Sequence, residues 1–411
     1  MRVFTAFCSI FFLGMSLGLA ASETGGIRLG EAHLIPFIDV DTHYVMNPGR
    51  SNQNPVNDLM TVSRPGLRLQ LDRDTLKLKL ATEGEYQHYY GLETLDSRGF
   101  STFAGQLNLS ADINRGSPLG IRLFEALVRS AEPGNEEISG KMLHTYNNLG
   151  IGIDYQPGGG ALQLTADYIF FIDYYDRGNT ELGEGFKPKT LDNMRHMPSL
   201  NLTWRFLPKT AAFIDAQGIL TDYYSNGTFY NSSETNPNSS LLTTHMGLVG
   251  NLSSLVKVLL KAGYGMTDIS GTKDQFSSAV GQLEIQYQLG PKDYLKVGFK
   301  RDVKPTTLFK YYGLMRGYVS YRRSFNHRWN VNAKLNYDDM RYGAALVTDN
   351  NARVDGSIVG SIGVTYALLA WLDLSLIETF ESRTSNFIIE AGANDVGYFY
   401  NDINFTIRFK Y

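Results

Sequence analysis

Asp402-Ile403-Asn404-Phe405-Thr406-Ile407-Arg408-Phe409-Lys410-Tyr411 is the stretch whose reading decides the fold. Ile403, Phe405, Ile407, Phe409 and Tyr411 take one set of alternate positions, and Asp402, Asn404, Thr406, Arg408 and Lys410 take the other. A strand sends successive side chains to opposite faces, so this segment is a strand lying between an apolar and an aqueous environment. The pattern recurs upstream. Leu67, Leu69 and Leu71 alternate with Arg68, Gln70 and Asp72, and Leu76, Leu78 and Leu80 with Lys77 and Lys79. Leu200, Leu202, Trp204 and Phe206 alternate with Asn201, Thr203 and Arg205. Leu283, Ile285 and Tyr287 alternate with Gln282, Glu284 and Gln286, and Val331, Ala333, Leu335 and Tyr337 with Asn332, Lys334 and Asn336.

Alternation alone fits a soluble sandwich or a membrane barrel, and the connections decide between them. Short turns fall near Arg73-Asp74, Arg115–Pro118, Pro157–Gly160, Pro208–Thr210, Ser253–Leu255, Pro291–Asp293, Asn326–Arg328 and Leu368–Trp371. Longer polar segments fall between them: Asn47–Asp58, Leu92–Gly99, Glu132–Lys141, Arg177–Met194, Asn226–Ser239, Gly271–Gln275, Ala344–Asp355 and Thr384–Val396, with a tighter connection near Lys304–Leu308. Short turns on one side and long loops on the other are the pattern of an outer-membrane barrel. The connections imply an all-β, up-and-down antiparallel transmembrane barrel of eighteen strands, with sixteen as the alternative, beginning close to Leu34. Aromatics gather at both strand ends. Tyr89-Tyr90, Tyr174-Tyr175, Tyr223-Tyr224, Tyr311-Tyr312, Tyr342 and Tyr398 lie near the long loops, and Tyr155, Trp204, Phe206, Tyr287, Trp329, Tyr366, Trp371 and Tyr411 near the short turns. Rings with a polar edge favour the two headgroup levels, so two girdles are expected.

The amino terminus supplies the compartment. Arg2 precedes an apolar run from Phe4 to Leu19, and Gly18-Leu19-Ala20 offers small residues for cleavage near Ala20 or Ala21. Residues 1–21 are therefore read as a signal peptide and 22–411 as the barrel. The single cysteine, Cys8, lies in the leader, so no disulfide or thiol metal site is expected in the mature chain. Arg2 is the only charged residue of the leader, so cleavage makes the net charge of −3 one unit more negative. That balance argues against nucleic acid as a partner.

The polar face of the alternation must line an enclosed aqueous lumen. Its candidate lining residues are Arg68, Lys77, Lys79, Arg205, Lys257, Lys261, Glu284, Lys296, Lys300, Lys334 and Arg408. Asp72, Glu83, Glu85, Asp112, Asp167 and Asp302 face the same space, and charged rings of this kind set selectivity in pores. An eighteen-stranded barrel is wide enough to hold water rather than a packed core. No two of the seven histidines stand in metal-ligand spacing, and neither a phosphate loop nor a nucleophile elbow is found. No cofactor, metal or enzymatic activity is expected.

Gly298-Phe299-Lys300-Arg301-Asp302-Val303, then Tyr311-Tyr312 and Tyr318-Val319-Ser320-Tyr321, resembles the family called "putative β-barrel porin 2". Arg383-Thr384-Ser385-Asn386-Phe387 before an alternating final strand is similar to it too, whereas Ile388 to Asp395 is more apolar and richer in Gly and Ala than the family pattern. Members of that family resemble the barrels of exopolysaccharide and biofilm-matrix export systems. The resemblance implies a passive export channel in the outer membrane of a Gram-negative bacterium, with a polysaccharide in transit and a separate periplasmic export protein as partners. The terminal aromatic resembles the signal read by the barrel assembly machinery, outer-membrane lipid surrounds the wall, and a monomer is expected. A general diffusion porin for small solutes is the alternative, and a barrel-embedded hydrolase the second alternative.

Overall fold

Backbone N–H and C=O groups cannot stay unpaired in lipid, so strands that cross a membrane must close on themselves. The computed structural model shows that closure. It describes residues 26–410 except 53–54, 133–140, 179–187, 225–237, 271–275, 307–310, 327, 344–352 and 388–396. The leader and its cleavage point, Tyr411, the apolar stretch Ile388 to Asp395 and the centres of several long loops lie outside the described residues.

A three-residue strand, β1 (Ile27–Leu29), folds back on β2 (Ala32–Met46). The barrel then runs β3 (Asn57–Asp72), β4 (Leu76–Tyr89), β5 (Thr102–Ile113), β6 (Leu119–Ser130), β7 (Met142–Tyr155) and β8 (Leu162–Gly178). It continues through β9 (Asn193–Leu207), β10 (Thr210–Tyr223), β11 (Ser239–Asn251), β12 (Val256–Ile269), β13 (Phe276–Gly290) and β14 (Asp293–Pro305). The last strands are β15 (Tyr311–Phe325), β16 (Trp329–Tyr342), β17 (Val354–Leu369), β18 (Leu372–Ser385) and β19 (Tyr398–Lys410). Each strand pairs antiparallel with the next, and β19 pairs with β2 from Asn401↔Met46 to Lys410↔Phe37. The result is an eighteen-stranded closed barrel, β2 through β19, with the β1 hairpin as an addition the alternation did not announce. Ile27 and Leu29 alternate too, but three residues are too few for a periodic signal.

Register sorts the side chains as the alternation requires. Leu202, Leu283, Ile285, Leu335, Ile403 and Phe405 are exposed on one face, while Asp39, Asp41, Asp173 and Glu284 are buried on the other. The exposed greasy face is the lipid face and the other lines the lumen. The short turns use left-handed backbone where the chain reverses: Gly158, Gly159 and Gly160 have φ of 60, 87 and 84°, and Asn114 and Asn326 sit at 59 and 56°. Tyr155, Trp204, Phe206, Tyr287, Trp329 and Trp371 form the predicted girdle at this end. At the other end the tyrosine doublets split. Tyr90, Tyr174 and Tyr224 face outward, whereas Tyr89, Tyr175, Tyr312, Tyr342 and Tyr398 are buried inside the barrel. Two adjacent residues of a strand cannot share a face, so each doublet supplies one ring to the girdle and one to the lumen.

Five glycines are filled by an aromatic ring directly across the ladder: Phe37 on Gly66, Phe124 on Gly150, Phe213 on Gly247, Tyr318 on Gly298 and Phe380 on Gly360. A Cβ at Gly150 would lie 2.0 Å from the Phe124 ring. Two outcomes follow for urea unfolding in detergent micelles. Gly150→Leu should cost about 1–3 kcal/mol by overpacking, and Phe124→Ala beside it should restore part of the loss. Leu335→Arg, in the middle of the lipid face, should cost about 2–4 kcal/mol, while Asn336→Arg on the lumen face costs less than about 1 kcal/mol.

Candidate functional site

Parity carries the predicted lining residues to the lumen face. Lys257, Gln286, Lys296, Ser320 and Lys334 are successive partners across β12 to β16, so their side chains share one side of the sheet. Lys261 and Lys300 belong to a parallel row with Gln282 between them. Arg68 and Lys79 lie on the same face as the buried Asp39, and Lys77 pairs across the ladder with Asp72.

Several of these cations are engaged by local groups. Arg408 makes a two-pronged pair with Asp39 at 2.8 and 2.5 Å across the β19–β2 seam. Lys300 meets Asp302 at 2.6 Å, Lys296 meets Glu284 at 3.6 Å and Lys77 meets Asp72 at 3.8 Å. Arg205 donates to the Gly160 carbonyl and to Gln163, and Arg68 stacks on the Phe37 ring at 4.4 Å. Glu284 is a hub: it accepts from Tyr318 at 2.6 Å and from Gln286 at 2.7 Å.

Other lumen pairs bring in residues beyond those candidates. Arg64 contacts Asp41, Glu85 and Glu83. His43 lies 2.9 Å from Asp402, Arg122 bridges Asp154 and Asp167, and Arg316 grips Asp338 through two bonds of 2.7 Å. Arg64 shares the parity of Arg68, and Arg316 that of Ser320, so period 2 carried the signal. What hid them was the interruption of the greasy partner face by Ser63 and Pro65 in β3 and by Gly313 and Gly317 in β15.

The outer end of the lumen is organised differently. A strand of 14 residues is about 46 Å long and, at a tilt near 40°, stands taller than the roughly 25 Å apolar band. The wall therefore continues above the lipid, and there its inner face turns apolar. Met142, Tyr175, Leu191, Tyr312, Leu314, Met340 and Tyr342 form one buried cluster with Phe387 packed against it. Its members come from β7 and β8 on one side and β15 and β16 eight strands away, so the cluster spans the mouth. Leu191, in the 3₁₀ turn Pro188–Leu191 before β9, and Phe387, after β18, are the loop side chains that enter it. Arg353 and Arg383 converge beside it on the buried Asp355, and Arg353 also stacks on Tyr342 at 4.6 Å.

A second bridge is ionic. Asn47 closes a turn with Ser51 and ties it to β19 by donating to the Phe399 carbonyl at 2.8 Å. That turn holds Arg50 at φ 54°, a conformation uncommon outside glycine. Arg50 then reaches Glu132 of the β6–β7 connection at 3.0 Å, Glu381 of β18 at 3.5 Å and the Tyr400 ring at 4.5 Å. Glu132 also lies 3.8 Å from Lys141, whose Nζ sits 4.9 Å from the centre of the Tyr89 ring. Burial alone would raise the Glu132 carboxyl, but Arg50 and Lys141 hold it down at about 2. Two outer loops are thereby latched together above a polar lumen. Loop residues carry no periodicity, so nothing in the sequence marked Arg50 or Glu132. Among the described residues no group of three or more His, Cys, Asp or Glu is placed to hold a metal ion.

Among curated proteins none matches this chain. Among solved structures the chain is similar to OccAB3 of Acinetobacter baumannii, at 10% identity and a TM-score of 0.49, over 92% of this chain and 99% of that one. It is also similar to OpdO of Pseudomonas aeruginosa, at 10% identity and 0.48, over 92% and 97%. A third is OpdK, an outer membrane protein of Pseudomonas aeruginosa, at 10% identity and 0.47, over 92% and 98%. Residues 20–397 match the family described as "putative beta-barrel porin 2". The chain, an outer-membrane β-barrel with a charged, polar-walled lumen, belongs to that porin family.

Proposed function

We propose that this barrel is a general porin for small hydrophilic solutes rather than the export path of a polysaccharide. The observation that carries the reading is the mouth. The apolar cluster joins the β7–β8 wall to the β15–β16 wall and the Arg50–Glu132 latch joins two outer loops, so side chains bridge the outer opening. A polymer in transit needs a clear bore along its whole path, whereas ions and small solutes pass between such bridges. The lumen below is lined by paired charges and amides that exchange hydrogen bonds with water and hydroxyl groups. Export rests on the family resemblance and on the polar wall, and the wall serves either cargo equally.

Proteoliposomes should swell in small sugars and lose that response as the sugar grows to an oligosaccharide. A strain lacking the gene should secrete polysaccharide at its usual level. Loss of secretion with no change in small-solute permeability would favour export instead.

The latch makes a separate prediction. Arg50→Ala or Glu132→Ala should raise single-channel conductance by about two-fold, and the exchange Arg50→Glu with Glu132→Arg should return it toward the original value. Glu132 titrates at about 2 in the latched mouth against an ordinary 4.5, so the stabilisation is complete above 4.5 and is lost as pH falls toward 2. Conductance should therefore hold steady from pH 8 to about 5 and rise only in stronger acid.

A further inference from the structure

Lumen charge is not spread evenly around the barrel. Lys257, Lys296 and Lys334 stand on β12, β14 and β16 in one row of the ladder, with Gln286 and Ser320 between them. Alternate strands place their backbones about 10 Å apart. Four residues nearer the mouth, about 13 Å along the strands, Lys261, Lys300 and Arg316 form a second row with Gln282. Between the rows lies the hub of Glu284 and Tyr318.

The lumen-facing carboxylates of β12 to β16, among the described residues, are Glu284, Asp302 and Asp338. Asp302 is taken by Lys300 and Asp338 by Arg316. Glu284 is divided among Lys296, the Tyr318 hydroxyl and the Gln286 amide, and its charge also bears on Lys257. The charges bearing on Lys334 are both positive, Arg322 and Lys296. Arg322 itself lies against the Tyr294 ring at 5.4 Å. Across the lumen acids gather instead: Asp39, Asp41, Glu83, Glu85 and Asp402 stand on β2, β4 and β19, met by Arg64, which contacts three of them, and by Arg408, which pairs with Asp39. Arg68, Lys77 and Lys79 lie below that acidic zone, nearer the periplasmic rim.

We propose that the β12–β16 wall is a two-level binding track for small oxyanions, carboxylates or phosphates, and that it makes the channel anion-selective. The inference rests on the small-solute reading above and names its substrate class. Like charges held at fixed spacing on a low-dielectric wall focus field into the lumen and raise the local concentration of counter-ions. The amide groups of Gln282 and Gln286 and the Ser320 hydroxyl stand between the cations and supply directional hydrogen bonds to an oxyanion. Lysine ammonium groups on flexible stems hand a ligand from one level to the next without holding it in a fixed fork.

The test uses the purified, folded barrel in planar bilayers, with folding checked by heat-modifiable gel mobility. Under a potassium chloride gradient the native channel should show a chloride-to-potassium permeability ratio of about 3 or more. The triple variant Lys257→Gln, Lys296→Gln, Lys334→Gln should fall to about 1 or below, whereas Arg323→Gln, on the outer face, should leave the ratio unchanged. Inorganic phosphate on one side should reduce chloride current through the native channel and lose about ten-fold in potency on the triple variant. An unselective or cation-selective native channel overturns the proposal. Anion selectivity that survives in the triple variant, or a current indifferent to phosphate, also overturns it while leaving the porin reading intact. A folded barrel that conducts no ions at all overturns the porin reading and the track with it.

Discussion

The structure depends on the demand that every backbone polar group in the membrane find a partner within the sheet. A single open edge of ten or more residues would strand a row of N–H and C=O groups in hydrocarbon, each at a cost of several kcal/mol. The β19–β2 seam removes that edge, and it is reinforced where it matters by Arg408 gripping Asp39 and by His43 beside Asp402. Closure then fixes everything else. It gives each strand one lipid face and one water face, and it turns a chain of moderate hydropathy into a stable membrane protein.

Within that frame the lumen changes character with depth. The lower and middle levels carry charges that are paired locally along one wall and left in cationic surplus along another. The upper level, which stands above the lipid, is bridged by apolar packing and by ion pairs between loops. The split tyrosine doublets are the hinge between these zones. In Tyr89-Tyr90 and Tyr174-Tyr175 one ring anchors the barrel at the headgroups while its neighbour packs inside the mouth. Such an arrangement uses the same two-residue alternation for membrane anchoring and for restricting the bore.

Much of this was legible in the sequence, for a physical reason. Period 2 is strong wherever both faces are uniform, as in β9, β13, β16 and β19, and there the alternation puts Arg205, Glu284, Lys334 and Arg408 on the polar face. The alternation of short and long connections supplied the strand count and the orientation. Strands whose lipid face is interrupted by Gly, Ser or Pro hid Arg64 and Arg316, although parity would have found them. The mouth was illegible. Arg50, Glu132 and Leu191 sit in connections whose shape depends on loops that meet only once the barrel has closed. No local pattern predicts that Arg50 will find Glu132 across the lumen. The inward rings were misplaced because a tyrosine near a strand end satisfies a girdle and a core equally well until register decides.

Closure requires the sorting of alternate side chains between lipid and an enclosed aqueous space. It is tested most directly by replacing residues 330–337 of β16 one at a time with cysteine, after removing Cys8 or confirming its loss with the leader. Each variant, reconstituted in vesicles, is then exposed to a membrane-impermeant, water-soluble thiol reagent. Rapid labelling is expected at positions 330, 332, 334 and 336 and protection at 331, 333, 335 and 337. Labelling at all eight positions alike, or a repeat of three to four residues instead of two, would contradict it.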